Sequence, residues 1–123
     1  MFGNLILVTE PDPNTGLPAT VTTSYAYDWL NQLTTVTQTR GSVTQTRSYV
    51  YSGSDLTSET NPENGTVNYV YNSAHQLTSK TDAIGQQTQY DYDAYGRTTE
   101  IRYYDQNSQE RTSERVHYYY VSV

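Results

Sequence analysis

The sequence predicts an all-β fold of antiparallel β-hairpin repeats that form a ribbon or spiral, with no helix. A Tyr-x-Tyr pair returns four times and is followed each time, within eight residues, by Leu-Thr or Thr-Thr. The segments around these pairs are rich in the strand-favouring residues Thr, Val and Tyr, and Tyr alone accounts for 14 of the 123 residues. No window keeps the apolar period of an amphipathic helix. Because one repeat cannot bury its own apolar face, each repeat is expected to rely on its neighbours.

Four full copies of the motif and two partial ones predict a single repeat array over residues 1–123. Positions are counted from the first Tyr, so that the second Tyr is position three and the Leu or Thr of the closing pair is position nine. The full copies are residues 25–34 (YAYDWLNQLT), 49–57 (YVYSGSDLT, one residue shorter), 69–78 (YVYNSAHQLT) and 90–99 (YDYDAYGRTT). Half-motifs are read at residues 1–6 (MFGNLI) and 118–123 (YYYVSV). They lead us to expect a piece of a longer chain, the alternative being a small protein with degenerate end copies.

Strands are predicted where Thr, Val and Tyr are dense, and turns where Gly, Pro, Asn and Asp cluster between them. The longer strands are expected at residues 20–28, 42–51, 66–71, 86–92, 98–104 and 111–121. Shorter strands should follow the Tyr pairs at residues 33–38, 56–59 and 76–80. Turns are expected at residues 11–14, 40–41, 52–53, 64–65, 94–96 and 105–107.

The motif residues are expected to be structural. Side chains at i and i+2 of a strand point to one face, so both rings of a Tyr pair should contribute to the core. Asp28 and Asp93 lie where a strand enters a tight turn and can accept backbone N–H bonds there, while Gly96 can supply a positive φ. The predicted structural residues are Tyr25, Tyr27, Asp28, Tyr49, Tyr51, Tyr69, Tyr71, Tyr90, Tyr92, Asp93, Gly96 and Arg97.

The best-formed copy, residues 90–98 (YDYDAYGRT), resembles the YD repeat of the rearrangement-hot-spot (Rhs) family, written roughly Tyr-x-Tyr-Asp-x-x-Gly-Arg-Leu. The copies that begin at Tyr25 and Tyr69 keep this spacing but carry Asn-Gln and His-Gln where the family has Gly-Arg. Residues 59–66 and 81–85 look like the family's Thr-Asp-Pro-x-Gly connector. The resemblance implies a β-ribbon that coils into a spiral or shell, as in bacterial Rhs proteins, toxin-complex shells and the teneurins.

Composition excludes several other classes of protein. With 7 basic and 13 acidic residues and a net charge of −6, the chain lacks the basic patch by which proteins bind nucleic acid. It has no Cys, and therefore neither a disulfide framework nor a thiolate metal site. The apolar stretch at residues 5–8 is too short for a membrane span or a signal peptide.

No arrangement of residues predicts catalysis, metal binding or a cofactor. His75 and His117 are distant in sequence, and neither has a partner at ligand spacing. Hydroxyl and carboxyl side chains are so frequent in turns and strand ends that none stands out as a nucleophile. Asn64-Gly65-Thr66 matches an N-glycosylation acceptor, although a hairpin turn alone also accounts for Asn-Gly.

Two functions stay open. The first is a structural, non-enzymatic segment of a secreted or cell-surface assembly, either a head-to-tail fibre subunit or part of a β-shell. Its partners would be flanking repeats of a longer chain or further copies of itself. The second is a surface adhesion module that binds carbohydrate or protein through exposed Tyr, with Tyr95, Tyr103 and Tyr119 as candidates. Both place the protein outside the cell or on its surface.

Overall fold

The computed structural model describes residues 3–14 and 19–122, and it confirms the predicted fold class. This part of the chain contains ten β-strands, one short 3-10 turn and no α-helix. All strand pairs with a described register are antiparallel and join strands that follow one another in the chain. Two compact units divide the chain: residues 1–50 with 59–64, and residues 51–58 with 65–123. Met1, Phe2 and Val123 of the expected half-motifs lie outside the described residues.

The first unit is built on three successive antiparallel pairs. Strands β1 and β2 pair with Val8 opposite Thr23, and β2 pairs with β3 with Tyr25 opposite Val36. A two-residue turn then joins β3 to β4, with Arg40 opposite Val43. The strands are β1 (Leu7–Pro11), β2 (Thr20–Tyr27), β3 (Leu33–Arg40), β4 (Val43–Ser52) and β5 (Asp55–Asn61), the last two of which extend into both units.

The second unit continues the same pattern. Its strands are β6 (Gly65–Tyr71), β7 (Leu77–Thr81), β8 (Gln87–Tyr92), β9 (Thr98–Tyr104) and β10 (Val116–His117), with the 3-10 turn at Thr112–Glu114. Directly opposed residues form rows across these strands, and one such row joins Tyr69, Lys80, Thr88 and Tyr103. Because opposed residues share a face of a sheet, these four side chains lie on the same face.

Burial differs from the tyrosine core that the sequence predicts. No hydrophobic side chain among the described residues is fully buried, and the Tyr pairs of the four motifs are half-buried. The alternation itself is as expected, since Val50 and Val70, between the rings of their pairs, are exposed. The Tyr-bearing face of the strands is therefore only partly covered among the described residues.

The strand predicted at residues 111–121 is wrong. Only Val116–His117 pair with β9, because the Glu114 N–H donates to the Arg111 carbonyl at 2.9 Å and closes a 3-10 turn before them. The polar run at residues 112–115 has no apolar alternation that would favour a strand. Strand β1 was missing from the sequence prediction. No helix in the described part of the chain is long and apolar enough to cross a membrane.

Candidate functional site

The turn of the motif is a five-residue unit organised by the carboxylate at position four. In the copy at residues 90–99, Asp93 Oδ1 accepts the N–H groups of Tyr95 at 2.9 Å and Arg97 at 3.0 Å. The backbone of Asp93 closes the same turn by donating to the Arg97 carbonyl at 2.9 Å and accepting from the Gly96 N–H at 3.0 Å. These four bonds satisfy the backbone groups that the reversal of the chain would otherwise leave unpaired.

The same bonds recur in four other turns. Asp28, Asn72, Asp82 and Asp105 each accept the second and fourth following N–H groups and exchange the same backbone bonds. Two of these turns, which begin at Asp82 and Asp105, lie between motifs rather than within them. Sequence reasoning treated these connectors as separate elements. In all five turns an Asp or Asn is followed four positions later by Gln or Arg. This spacing could have shown from the sequence that the connectors form the same turn as the motifs.

The fourth residue of every such turn has a positive φ. Gly supplies it at Gly85 (87°) and Gly96 (78°), whereas Asn31 (68°), His75 (60°) and Ser108 (61°) adopt it with a side chain. Left-handed backbone is costly for residues other than Gly, and least so for Asn. This explains why Gly-Arg of the motif is replaced by Asn-Gln without a change of turn.

A β-bulge explains why the motif closes with a Leu-Thr pair. The strand register shifts immediately before the second Tyr in three copies, between Ala26 and Tyr27, between Val70 and Tyr71, and between Asp91 and Tyr92. The extra residue of each bulge is the Thr at position ten. In two copies its hydroxyl donates to the carbonyl at position two, from Thr34 to Ala26 at 3.2 Å and from Thr78 to Val70 at 3.1 Å. Thr is therefore the residue that fits the bulge.

The second Tyr of the motif connects its repeat to the preceding one. The Tyr92 hydroxyl donates to the carbonyl of Leu77 at 2.6 Å, and Leu77 is position nine of the copy before. Tyr27 makes the corresponding bond to the carbonyl of Leu5 at 3.0 Å, and Tyr120 makes it to that of Thr98 at 2.6 Å. Sequence reasoning assigned Tyr120 only to a partial motif and did not anticipate these hydroxyl bonds.

A second set of contacts runs from position eight of one repeat, which is position seven in the shorter copy at residues 49–57, to position seven of the next. Asp55 Oδ2 lies 2.8 Å from Nδ1 of His75, and Gln76 Nε2 donates to the Gly96 carbonyl at 3.0 Å. At the same two positions of an earlier pair of turns, the Asn4 side-chain amide donates to the side-chain oxygen of Asn31. Different residue pairs thus make the same connection between neighbouring turns.

Electrostatics support the turns and the partly covered face. The backbone N–H of Arg97 contributes most to lowering the pKa of Asp93, and burial opposes it. The Arg97 side chain and the N–H of Tyr95 lower this pKa further. Partial burial raises the pKa of Tyr71, Tyr90 and Tyr92. For Tyr90, the neighbouring Tyr103 and Tyr92 raise the pKa further.

One carboxylate is buried among the described residues. Asp12 is only 7% exposed and receives the Nε of Arg40 at 2.6 Å together with the N–H of Asn14 at 3.0 Å. The Arg40 side chain, and then the Asn14 N–H, lower the pKa of Asp12. This ion pair joins the loop after β1 to the end of β3.

The residues described offer little for metal binding. They contain no group of three or more His, Asp or Glu side chains that could hold a metal ion. His75 contacts Asp55, and His117 Nδ1 lies 3.4 Å from Glu100. Asn64 is exposed in the turn between β5 and β6.

Comparison with known families agrees with this geometry. Residues 71–107 match the RHS repeat, a segment that includes the complete turns beginning at Asn72, Asp82 and Asp93. This segment of the chain therefore carries RHS repeat sequence. No curated protein matches the chain. A solved structure similar to this chain is a porin-like protein from Bacteroides uniformis, at 21% identity and a TM-score of 0.40. The likeness covers 85% of this chain and 46% of that protein, so this chain spans less than half the other's length.

The motif residues predicted from the sequence lie in these turns or in the strands that enter them. The first and second Tyr of each copy lie near the ends of β2, β4, β6 and β8. Asp28, Asp93, Gly96 and Arg97 lie in the five-residue turns. Arg97 also holds Asp93 Oδ2 through Nε at 2.8 Å, and its guanidinium lies 4.1 Å from the ring centre of Tyr120.

Proposed function

We propose that this chain is a structural, non-enzymatic segment of a secreted or cell-surface assembly, built of RHS repeats beyond the matched residues 71–107. The observation that carries the proposal is the repeated hydroxyl bond from the second Tyr of one repeat to the backbone of the preceding repeat. The acceptor of this bond is a backbone carbonyl, which every residue has, so the bond forms whatever the accepting residue is. It therefore suits an array that extends by adding copies.

The side chains that could do chemistry already have structural partners. Asp93 organises its turn, and His75 joins Asp55 between neighbouring turns. A side chain held by several backbone bonds is poorly placed to move protons or attack a substrate. Rhs repeats occur in secreted and cell-surface proteins, which supports the proposed location.

Strand β1 provides a surface for assembly. Among the described residues only β2 pairs with it. Leu5 and Ile6, just before β1, are 56% and 67% exposed, and Leu7, its first residue, is 55% exposed. An exposed strand edge with apolar side chains favours the addition of another strand. We propose that this edge pairs with a flanking repeat or with a second copy, head to tail, as in a fibre or a β-shell.

Sedimentation velocity tests this assembly with two matched variants. Ile6→Lys places a charge beside the proposed edge, whereas Ile84→Lys places the same charge at a similarly exposed residue (62%) in the turn between β7 and β8. We expect the parent chain and Ile84→Lys to form larger particles, and Ile6→Lys to sediment mainly as a monomer. A parent chain that stays monomeric at all concentrations contradicts self-association, and surface labelling of cells tests the location separately.

A second function is favoured by exposed aromatic side chains. Trp29, Tyr95 and Tyr119 are 89%, 86% and 90% exposed, which is unusual for large rings. They could stack on a sugar or a partner protein as an adhesion module. Loss of cell or glycan binding on Tyr95→Ala and Tyr119→Ala, with unchanged particle size, would favour this function.

A further inference from the structure

The basic residues of the second unit are not all paired. Five of the seven basic residues in the chain have a carboxylate oxygen within 2.8 Å, namely Arg40, Arg47, Arg97, Arg102 and Arg115. Lys80 has no ion pair with any described residue, and the carboxylate found near Arg111 is that of Glu114, 3.7 Å away. In a chain with nearly twice as many acidic as basic side chains, two cations without close partners are unexpected.

Both of these cations line the same groove. Lys80 stands in the row with Thr88 and Tyr103 across β7, β8 and β9. Arg111 lies at the β9 end of this row, because its N–H donates to the Tyr103 carbonyl at 2.8 Å. The groove measures about 200 Å³ and is also lined by Val67, Asp82, Gln86, Gln87 and Tyr104. It lies on the Tyr-bearing face of the second unit.

The lining combines three kinds of chemistry. Lys80 and Arg111 supply positive charge, Gln86 and Thr88 supply hydrogen-bonding groups, and Tyr103 supplies an aromatic ring. Asp82 is the acidic residue of the groove, and its Oδ1 is occupied by the N–H groups of Ile84 and Gln86. Cations bind carboxylates strongly, while amides, hydroxyls and rings suit the hydroxyl-rich faces of a sugar.

Size and charge narrow the class of ligand. The groove is smaller than the ~300–1,000 Å³ of sites for drug-sized ligands, so it accommodates one small unit. The net charge of −6 disfavours a polyanion such as nucleic acid. We propose that this groove binds a single uronate unit of an acidic glycan, with its carboxylate between Lys80 and Arg111 and its ring beside Tyr103. This site goes beyond the structural role proposed above and does not depend on it.

Isothermal titration with the intact chain tests the site. A galactose trisaccharide that carries a single galacturonate unit is compared with the neutral galactose trisaccharide, and with acetate and inorganic phosphate as simple anions. We expect the acidic sugar to bind at least roughly ten-fold more tightly than any of the other three, since a charge-assisted bond is added to the sugar contacts. Lys80→Gln and Arg111→Gln should each weaken its binding roughly ten-fold.

Arg47→Gln is the matched control. It removes the same charge in the first unit, where Arg47 pairs with Glu63 at 2.8 Å, and it should leave the affinity unchanged. Circular dichroism checks that each variant is folded. Equal binding of the neutral sugar or of simple anions, equal loss in Arg47→Gln, or no binding of the acidic sugar would each overturn the proposal. Because particle size is measured separately, failure here leaves the Ile6→Lys result as the test of the structural role.

Discussion

At the scale of single residues, the first position of the five-residue turn has the clearest physical role. Asp and Asn both occur there, and in each case the side-chain oxygen accepts two backbone N–H groups. The turn therefore requires the acceptor oxygen, whereas it forms with or without the negative charge of Asp. Among the described turns, only the charge of Asp93 has a close cation, the side chain of Arg97.

Asp93→Ala and Asp93→Asn separate these two contributions. Asp93→Ala leaves the N–H groups of Tyr95 and Arg97 without their acceptor, whereas Asp93→Asn keeps an oxygen in the same place, as Asn72 does. We expect Asp93→Ala to lower the free energy of unfolding clearly more than Asp93→Asn, measured by urea denaturation. Equal losses would show that the charge and not the acceptor stabilises the turn.

The lowered pKa of Asp93 and that of Asp12 predict a loss of stability in acid. Each carboxylate has a pKa below 3.8 when folded and near 3.8 when unfolded. The unfolded chain therefore takes up protons first, so this part of the stability is present above pH 3.8 and is lost as the pH falls through the folded values. Urea midpoints from neutral pH to below 3.8 check this, and Asp93→Asn should show a smaller fall than the parent.

Turn residues with positive φ predict that one substitution stabilises the chain and another destabilises it. Ser108 holds φ at 61°, and its side chain has no hydrogen bond among the described residues that would offset the strain. Ser108→Gly should stabilise the chain by about 1 kcal/mol, and Gly96→Ala should destabilise it by at least about that amount. A Cβ at Gly96 would also come within 3.1 Å of Gln76 Nε2. Thermal unfolding of both variants checks the prediction, which fails if the two shifts have the same sign.

Much at this scale could be predicted from the sequence. The turn roles of Asp28, Asp93 and Gly96 follow from residue type and spacing alone. The acceptor of the Tyr92 hydroxyl could not be predicted, because a backbone carbonyl has no sequence signature. The presence of Lys80 and Arg111 in one groove could not be predicted either, since only the register of three strands brings their segments together.

At the scale of elements, each hairpin is defined by a turn, a bulge and a bond to its predecessor. The turn reverses the chain, the Thr at position ten occupies the bulge, and the second Tyr reaches the previous copy. A bulge strengthens the local twist of a strand pair. The repeat is therefore a structural unit in which sequence and geometry recur together.

The Tyr bond can be tested without altering the ring. Tyr92→Phe removes only the hydroxyl that donates to the Leu77 carbonyl at 2.6 Å. The expected cost is about 1 kcal/mol in the free energy of unfolding. Tyr95→Phe is the control, because Tyr95 is 86% exposed and its hydroxyl makes no described hydrogen bond. A cost for Tyr95→Phe as large as that for Tyr92→Phe would refute the role of the bond.

Strand prediction succeeded where the motif recurs and failed where it does not. The expected strands at residues 66–71 and 98–104 agree closely with β6 and β9, because Tyr, Val and Thr alternate there between turn residues. Strand β1 was missed because residues 7–11 contain Pro and no Tyr pair. The 3-10 turn at Thr112–Glu114 depends on a local hydrogen bond that composition does not reveal.

At the scale of the whole molecule, stability has to come from contacts between neighbours. No described hydrophobic side chain is fully buried, so a single shared core is not what holds the strands. In such arrays stability is roughly a sum of repeat and neighbour terms. The low content of apolar residues, which by itself would favour disorder, is then compatible with a folded chain.

Native-state hydrogen exchange on the parent chain and on Tyr92→Phe tests this account most directly. If stability is built from neighbour to neighbour, protection should fall mainly for the amides of β7, β8 and β9, which flank the lost Tyr92 bond. Amides of β2 and β3 in the first unit should exchange as in the parent. An equal loss of protection in β2, β3, β7, β8 and β9 would show that the chain unfolds as one cooperative body, and it would contradict a structure held together repeat by repeat.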